Sequence, residues 1–280
     1  MSNSFNSPYL VETDWLTQHL TDTNLRILDC TVFLKPGPDG MIVESGRNAW
    51  SESHIPGSQF VDVLDELSDK EATYPFMMPS AQQFADAMSS YGIDDSTQVI
   101  LYDAGATIWA TRVWWMLRAF GFDQAAVLNG GWVKWQQEGQ PITADGATYP
   151  AGNFVANPRP ALIASKADVL AATQDGATCI VNALGADQHN AGHIPSSVNL
   201  PAGSLLDPDT NAFRNVATLR AAFDHRGALG RERIITYCGG GIAATSDAFV
   251  LTLLGAENVA VYDGSMSEWS ADSSLSLERS

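Results

Sequence analysis

The chain has 280 residues, room for one large domain or two of ordinary size. Hydrophobic residues make up 45% and charged residues 17%, enough apolar material for a packed core, which excludes wholesale disorder. With 15 basic against 32 acidic residues the formal charge is −17, so nucleic acid and anionic membrane, both of which such a surface repels, are not expected as partners.

Taken in chain order, the elements come twice. Met1 to Pro8 is polar and lacks a basic segment leading into an apolar one, so no secretory signal is expected. A first strand is predicted over Leu25–Cys30, followed by a loop carrying His54-Ile55-Pro56-Gly57 and then a helix. A second strand, Gln98–Asp103, leads into a helix with Trp114, Leu117 and Phe120 on one face. A third ends at Asn129-Gly130-Gly131, with Trp135 beyond it. The stretch Gly139 to Pro160, rich in Gly, Pro, Ala and Asn, reads as a linker. The same series then returns 134 to 139 residues further on: Thr178–Ala183, His193-Ile194-Pro195-Ser196, Arg233–Cys238, a helix through Phe249 and Leu253, and Asp263-Gly264-Ser265 to Trp269. Apolar strands without alternation imply burial on both faces, hence α/β architecture with parallel sheets covered by helices. The boundaries follow: a first domain over 1–145, a linker over 146–160 and a second domain over 161–280.

Cysteine and histidine usage narrows the chemistry. Cys30, Cys179 and Cys238 are odd in number and lack Cys-x-x-Cys spacing, so no disulfide framework is expected. No apolar stretch approaches the ~18 residues of a membrane span, and a cytoplasmic protein with reduced thiols is expected. His189 and His193 stand four residues apart but lead into a turn with no third ligand close by, so neither a metal nor another cofactor is expected. The halves differ chemically at one place. The first half's central strand ends in Tyr102-Asp103-Ala104-Gly105, the second's in Tyr237-Cys238-Gly239-Gly240-Gly241-Ile242-Ala243-Ala244. Ligands in open parallel sheets sit at the carboxyl ends of strands. Consecutive glycines before a helix let backbone N–H groups converge on an anion or a thiolate.

Four readings fit this segment. A buried structural cysteine accounts for the strand but not for the glycines, whereas Cys30 and Cys179, inside apolar strands, suit that reading. A dinucleotide fingerprint is formally matched by Gly239 to Ala244, yet Asp263 lies too far on to serve as the ribose-binding acid. A cysteine phosphatase needs an arginine closing the loop, where this chain has Ala243, Ala244 and Thr245. A sulfur carrier needs only a cradle for one persulfide on Cys238.

These motifs together resemble the tandem sulfurtransferases of the rhodanese type, the thiosulfate and 3-mercaptopyruvate sulfurtransferase family. The resemblance rests on His54-Ile55-Pro56-Gly57, His193-Ile194-Pro195, Arg112-Val113-Trp114-Trp115, Gly130-Gly131-Trp132, Cys238 to Ala244, and Asp263-Gly264-Ser265 with Trp269, and runs from about Leu10 to Trp269. It implies two rhodanese-like domains, the first catalytically silent with Asp103 in place of cysteine. It also implies ping-pong transfer of sulfur from a small anionic donor, through a Cys238 persulfide held by Gly239, Gly240, Gly241, Ile242, Ala243 and Ala244, to cyanide or a thiol. A thioredoxin-like reductant is a further expected partner. A loop of small residues without basic ones favours 3-mercaptopyruvate over thiosulfate.

The chain also departs from the family, having Asn182-Ala183-Leu184 and then Gln188 where donor-binding arginines are expected. Either another cation (Arg47, Arg112 or His54) faces the cleft, or the donor differs, or the protein is a relay module with little small-donor turnover. Asn182 and Gln188 join His54 and Arg112 as cleft candidates, although a His-Ile-Pro repeated in a silent half favours a structural turn.

Overall fold

The computed structural model describes residue 5 and residues 7–38 and 40–280. The first half contains β1 (Leu10–Val11), β2 (Leu25–Asp29), β3 (Val32–Gly37), β4 (Gly40–Ser45), β5 (Ser58–Phe60), β6 (Gln98–Tyr102) and β7 (Ala125–Leu128). Its helices are α1 (Thr13–His19), α2 (Arg47–Glu52), α3 (Ala81–Ser90), α4 (Ile108–Ala119) and α5 (Gly131–Gln137). The second half repeats the series with β8 (Ile163–Ala164), β9 (Thr178–Asn182), β10 (Val198–Asn199), β11 (Arg233–Tyr237) and β12 (Val259–Tyr262). Its helices are α6 (Lys166–Ala172), α7 (Ala186–Ala191), α8 (Val216–His225), α9 (Ala244–Leu253) and α10 (Ser265–Trp269).

Each half forms one five-stranded parallel sheet, in the orders β1-β7-β6-β2-β5 and β8-β12-β11-β9-β10. The two orders correspond strand for strand, as the repeat requires. The central strands are buried along nearly their whole length, because helices cover both faces. The ends of β6 and β11 fall at Asp103 and Cys238, so both lie where a parallel sheet opens its crevice.

The halves meet through α4 and α9, which are buried on nearly every side because each helix is enclosed by its own sheet and by the other helix. Repeat-equivalent residues face each other across this seam: Thr111 Oγ1 lies 2.9 Å from Ser246 Oγ, and Trp114 stacks edge-on against Phe249 at 4.8 Å. The contact therefore has the character of a local two-fold axis, and each half reaches the other's loop with the same part of its chain.

Two features go beyond the reading of the sequence. The linker residues 139–159 pack as a strap on the first half: Phe154 is buried against Phe84 and Phe122, and the Asn157 and Arg159 N–H groups donate to Phe120 and Ala119 carbonyls. Apolar residues among the glycines and prolines anchor it. The β3–β4 hairpin is antiparallel and exposes Leu34, Met41 and Ile42. No helix among the described residues is long and apolar enough to cross a membrane.

Candidate active site

Cys238 follows β11 directly and is 2% exposed, while Gly239 and Gly240 beside it are half-buried and form the open rim. The loop is shaped by a residue whose role sequence reasoning missed, Ser265 at the start of α10. Its hydroxyl accepts from the N–H groups of Cys238 at 3.0 Å and Gly241 at 3.1 Å, and donates to the Tyr262 carbonyl. Ser267 adds a second tie, its N–H and its hydroxyl both donating to the Gly239 carbonyl at 2.9 Å. Gly241 has φ +76°, and a Cβ there would lie 2.6 Å from the Asp263 carbonyl oxygen, so only glycine fits. Among the described residues, no oxygen accepts from the N–H groups of Gly239, Gly240, Ile242, Ala243 and Ala244. Unpaired N–H groups before a helix N-terminus make a cradle for negative charge.

The first half shows what such a cradle holds. There the loop after β6 closes on its own side chain: Asp103 Oδ1 accepts from the Gly105 and Thr107 N–H groups, and Oδ2 from those of Trp109 and Ala110, at 2.8 to 3.1 Å. The equivalent backbone that stays open around Cys238 is plugged here by a carboxyl group.

A second strap, residues 75–78 of the first half, lies across the second half's loop. Arg112 of α4, 1% exposed, donates to Asp263 Oδ1 at 2.5 Å, to the Phe76 carbonyl at 2.7 Å and to the Gly241 carbonyl at 3.3 Å. The Met78 N–H donates to the other Asp263 oxygen at 2.8 Å. Phe76 has φ +64°, a conformation that strains a bulky side chain and that these ties impose. The second half answers with Asn211 and Phe213 over the Asp103 loop, where the Phe213 N–H donates to Asn129 Oδ1. Arg112 is thus at the cleft, but as an internal clamp and not as a free cation for a donor.

The other cleft candidates are held by partners of their own. His54 is buried, its ring nitrogens facing the Trp50 and Asp145 carbonyls and its ring stacked on Trp50 at 4.3 Å, so it anchors a turn in the first half. Asn182 is buried and structural: its amide donates to the Tyr237 hydroxyl and its carbonyl oxygen accepts from the Leu184 N–H. Gln188 is exposed on α7 and accepts from the Gly185 N–H. Arg47 lies 3.8 Å from Asp62 and over the Phe60 ring. At the rim the places nearest Gly239 and Gly240 belong to Leu184 and Phe76. His193 stacks on His189 and turns towards Glu278, and among the described residues no group of three or more His, Cys, Asp or Glu is placed to hold a metal.

The remaining thiols are quiet. Burial pushes Cys30 well up, with the Asp29 and Asp103 carboxyls adding to it, and burial raises Cys179 against a weaker pull from Arg231. Asp247, at the position of α9 that matches Arg112, is fully buried, and among the described residues neither of its oxygens has a hydrogen-bond partner. Burial drives its carboxyl well above the usual 3.8, opposed by the charge of Arg226. Its protonated form therefore contributes stability that is complete below pH ~4 and is lost as pH rises through the raised value. Asp247→Asn is expected to gain on the parent from pH ~4 upward, by roughly 1.4 kcal/mol per unit until that value is passed. Urea unfolding at three pH values checks this; a constant difference would contradict it.

Comparison with known proteins decides the family. The model of the rhodanese-like domain matches residues 12–138 and again 165–272. The chain belongs to the rhodanese family. It is 32% identical to the 3-mercaptopyruvate sulfurtransferase of Escherichia coli (strain K12) over 281 residues, covering 96% of this chain and 98% of that one. It is 33% identical to the thiosulfate sulfurtransferase of Cricetulus griseus over 278 residues, covering 93% and 91%. The crystal structure of SseA from Escherichia coli, a 3-mercaptopyruvate sulfotransferase with the rhodanese fold, superposes with a TM-score of 0.84 at 31% identity, covering 92% of this chain and 99% of that one. The protein is a sulfurtransferase with two rhodanese-like domains.

Proposed function

We propose that Cys238 carries the sulfur. The observation behind this is the pair of loops: one cradle filled by Asp103, the other open around a cysteine. The Cys238 thiolate attacks the donor's outer sulfur, and a persulfide forms. With 3-mercaptopyruvate the carbon–sulfur bond breaks, its electron pair passes into the adjacent carbonyl as an enolate, and protonation gives pyruvate. With thiosulfate the sulfur–sulfur bond breaks and sulfite leaves with the pair. The open N–H groups stabilise the negative charge of the persulfide. Cyanide or a thiol, a thioredoxin-like reductant among the candidates, then takes the outer sulfur and returns the thiolate. A cytoplasmic setting suits three free thiols.

The donor reading favours 3-mercaptopyruvate over thiosulfate. Arg112 and Arg47 are engaged elsewhere, and each missing charge-assisted contact costs roughly 1.5–3 kcal/mol, tenfold or more in donor affinity. The doubly charged donor suffers more from that loss. Cys238→Ser is expected to abolish sulfur transfer to cyanide, while Cys30→Ser and Cys179→Ser retain it. Transfer by the Cys238→Ser protein would refute the mechanism. Steady-state kinetics with each donor tests the preference; a higher kcat/KM for thiosulfate would reverse it. The buried thiol and the engagement of Arg112 and Arg47 keep one alternative, a relay module. A persulfide that forms on Cys238 without multiple turnover would favour that reading.

A further inference from the structure

The open rim of the Cys238 loop consists of Gly239 and Gly240, and an apolar side chain flanks each. Leu184 Cδ2 would touch a Cβ on Gly239 at 4.0 Å, and Phe76 Cδ2 would touch one on Gly240 at 3.4 Å, with the Pro75 carbonyl oxygen at 3.7 Å and Ser267 Oγ at 3.8 Å beyond it. Leu184 comes from the turn after β9 and Phe76 from the first half's second strap, so the two halves jointly form the wall. Beside Phe76 lies a cavity of about 530 Å³ whose wall is apolar at Phe76, Pro75, Leu64 and Val43 and carries one pair of opposite charges, Asp69 and Lys70, within the size range of small-molecule sites. Among the described residues, none of the atoms nearest a Cβ on Gly239 or Gly240 belongs to a cation, and the cations placed around this rim are paired. Arg112 is held by Asp263, Lys70 lies 3.1 Å from Asp65, and Lys166 lies 2.9 Å from Asp272. The chain's charge of −17 adds a field that repels anions from the approach.

We propose that Phe76 and Leu184 select the sulfur acceptor, and that they favour an uncharged thiol on an apolar body over a charged one. The proposal rests on Cys238 carrying the persulfide. The acceptor thiolate attacks the outer sulfur, forming a new sulfur–sulfur bond. The bond between that sulfur and Cys238 Sγ breaks, and Sγ leaves as the thiolate. The product is the acceptor's hydropersulfide, and no oxidant or reductant is needed. The apolar body of the acceptor lies against the leucine and the phenylalanine ring, where each buried methylene contributes about fourfold.

The test separates the two half-reactions. Protein charged with 3-mercaptopyruvate or thiosulfate is desalted, and loss of the adduct of about 32 Da on Cys238 is followed by intact mass after adding 1-butanethiol, 2-mercaptoethanol or 3-mercaptopropionate. Rates are expressed per thiolate. The expected order is butanethiol over mercaptoethanol by about tenfold, with mercaptopropionate slowest. Leu184→Arg is expected to raise the mercaptopropionate rate about tenfold relative to mercaptoethanol. Leu184→Gln and Phe76→Ala should both shrink the butanethiol preference. Adduct that forms but is discharged by the three thiols at equal rates would overturn this inference alone. So would a Leu184→Arg protein whose three rates shift together. Absence of adduct with either donor would overturn the persulfide reading and this inference with it.

Discussion

Arg112→Met is expected to lower stability by about 3–5 kcal/mol and to slow persulfide formation on Cys238. The guanidinium is 1% exposed, bonded to a carboxylate that is itself buried and to two carbonyls, and it ties α4 of one half to the loop of the other. Removing it leaves the Asp263 charge buried without its counter-ion, and this orphaned charge is the larger part of the loss. Two buried ions can be replaced together at little expense in stability, so Arg112→Met with Asp263→Leu is expected to regain part of the stability. It should not regain the rate, because the Phe76 and Gly241 carbonyls and the Met78 N–H stay without their partners and the strap is no longer held. Urea unfolding midpoints and single-turnover charging of Cys238 measure the two effects separately. If the double variant recovers both, the clamp stabilises the fold without positioning the loop.

Asp103→Ala is expected to cost roughly 3–5 kcal/mol, large for one residue remote from the chemistry. Four N–H groups donate to this buried carboxyl, and alanine strands all of them at the start of α4, the helix on which the interface is built. Burial raises the Asp103 carboxyl above its ordinary value, with the same four N–H groups working against the rise. Asp103→Asn keeps one acceptor oxygen and serves only one of the two N–H pairs, so about half the loss is expected. Thermal unfolding of the two variants checks the order. Equal, small effects would show that the loop holds its shape without the plug, and that the likeness of the two cradles is a coincidence of chain path.

The sequence by itself determined the duplication, the α/β class and the place of Cys238. These follow from local pattern: apolar runs that read as buried strands, helical periodicity between them, and a cysteine and glycines following a strand. The inequality of the halves was also legible, since Asp103 stands where Cys238 does. The tertiary structure decided what those residues do to one another. Arg112 was a candidate cation by composition, but its partner Asp263 lies 151 residues away and meets it only because α4 and α9 pack across the local two-fold axis. Phe76 carried no motif, and its position over Gly240 depends on the same packing. His54 and Asn182 looked available because a sequence shows polarity without showing burial; their ring nitrogens and amide are already engaged within their own halves. Strands and loops are set by neighbours a few residues apart. A cleft between two domains is set by long-range contacts whose partners the local pattern does not encode.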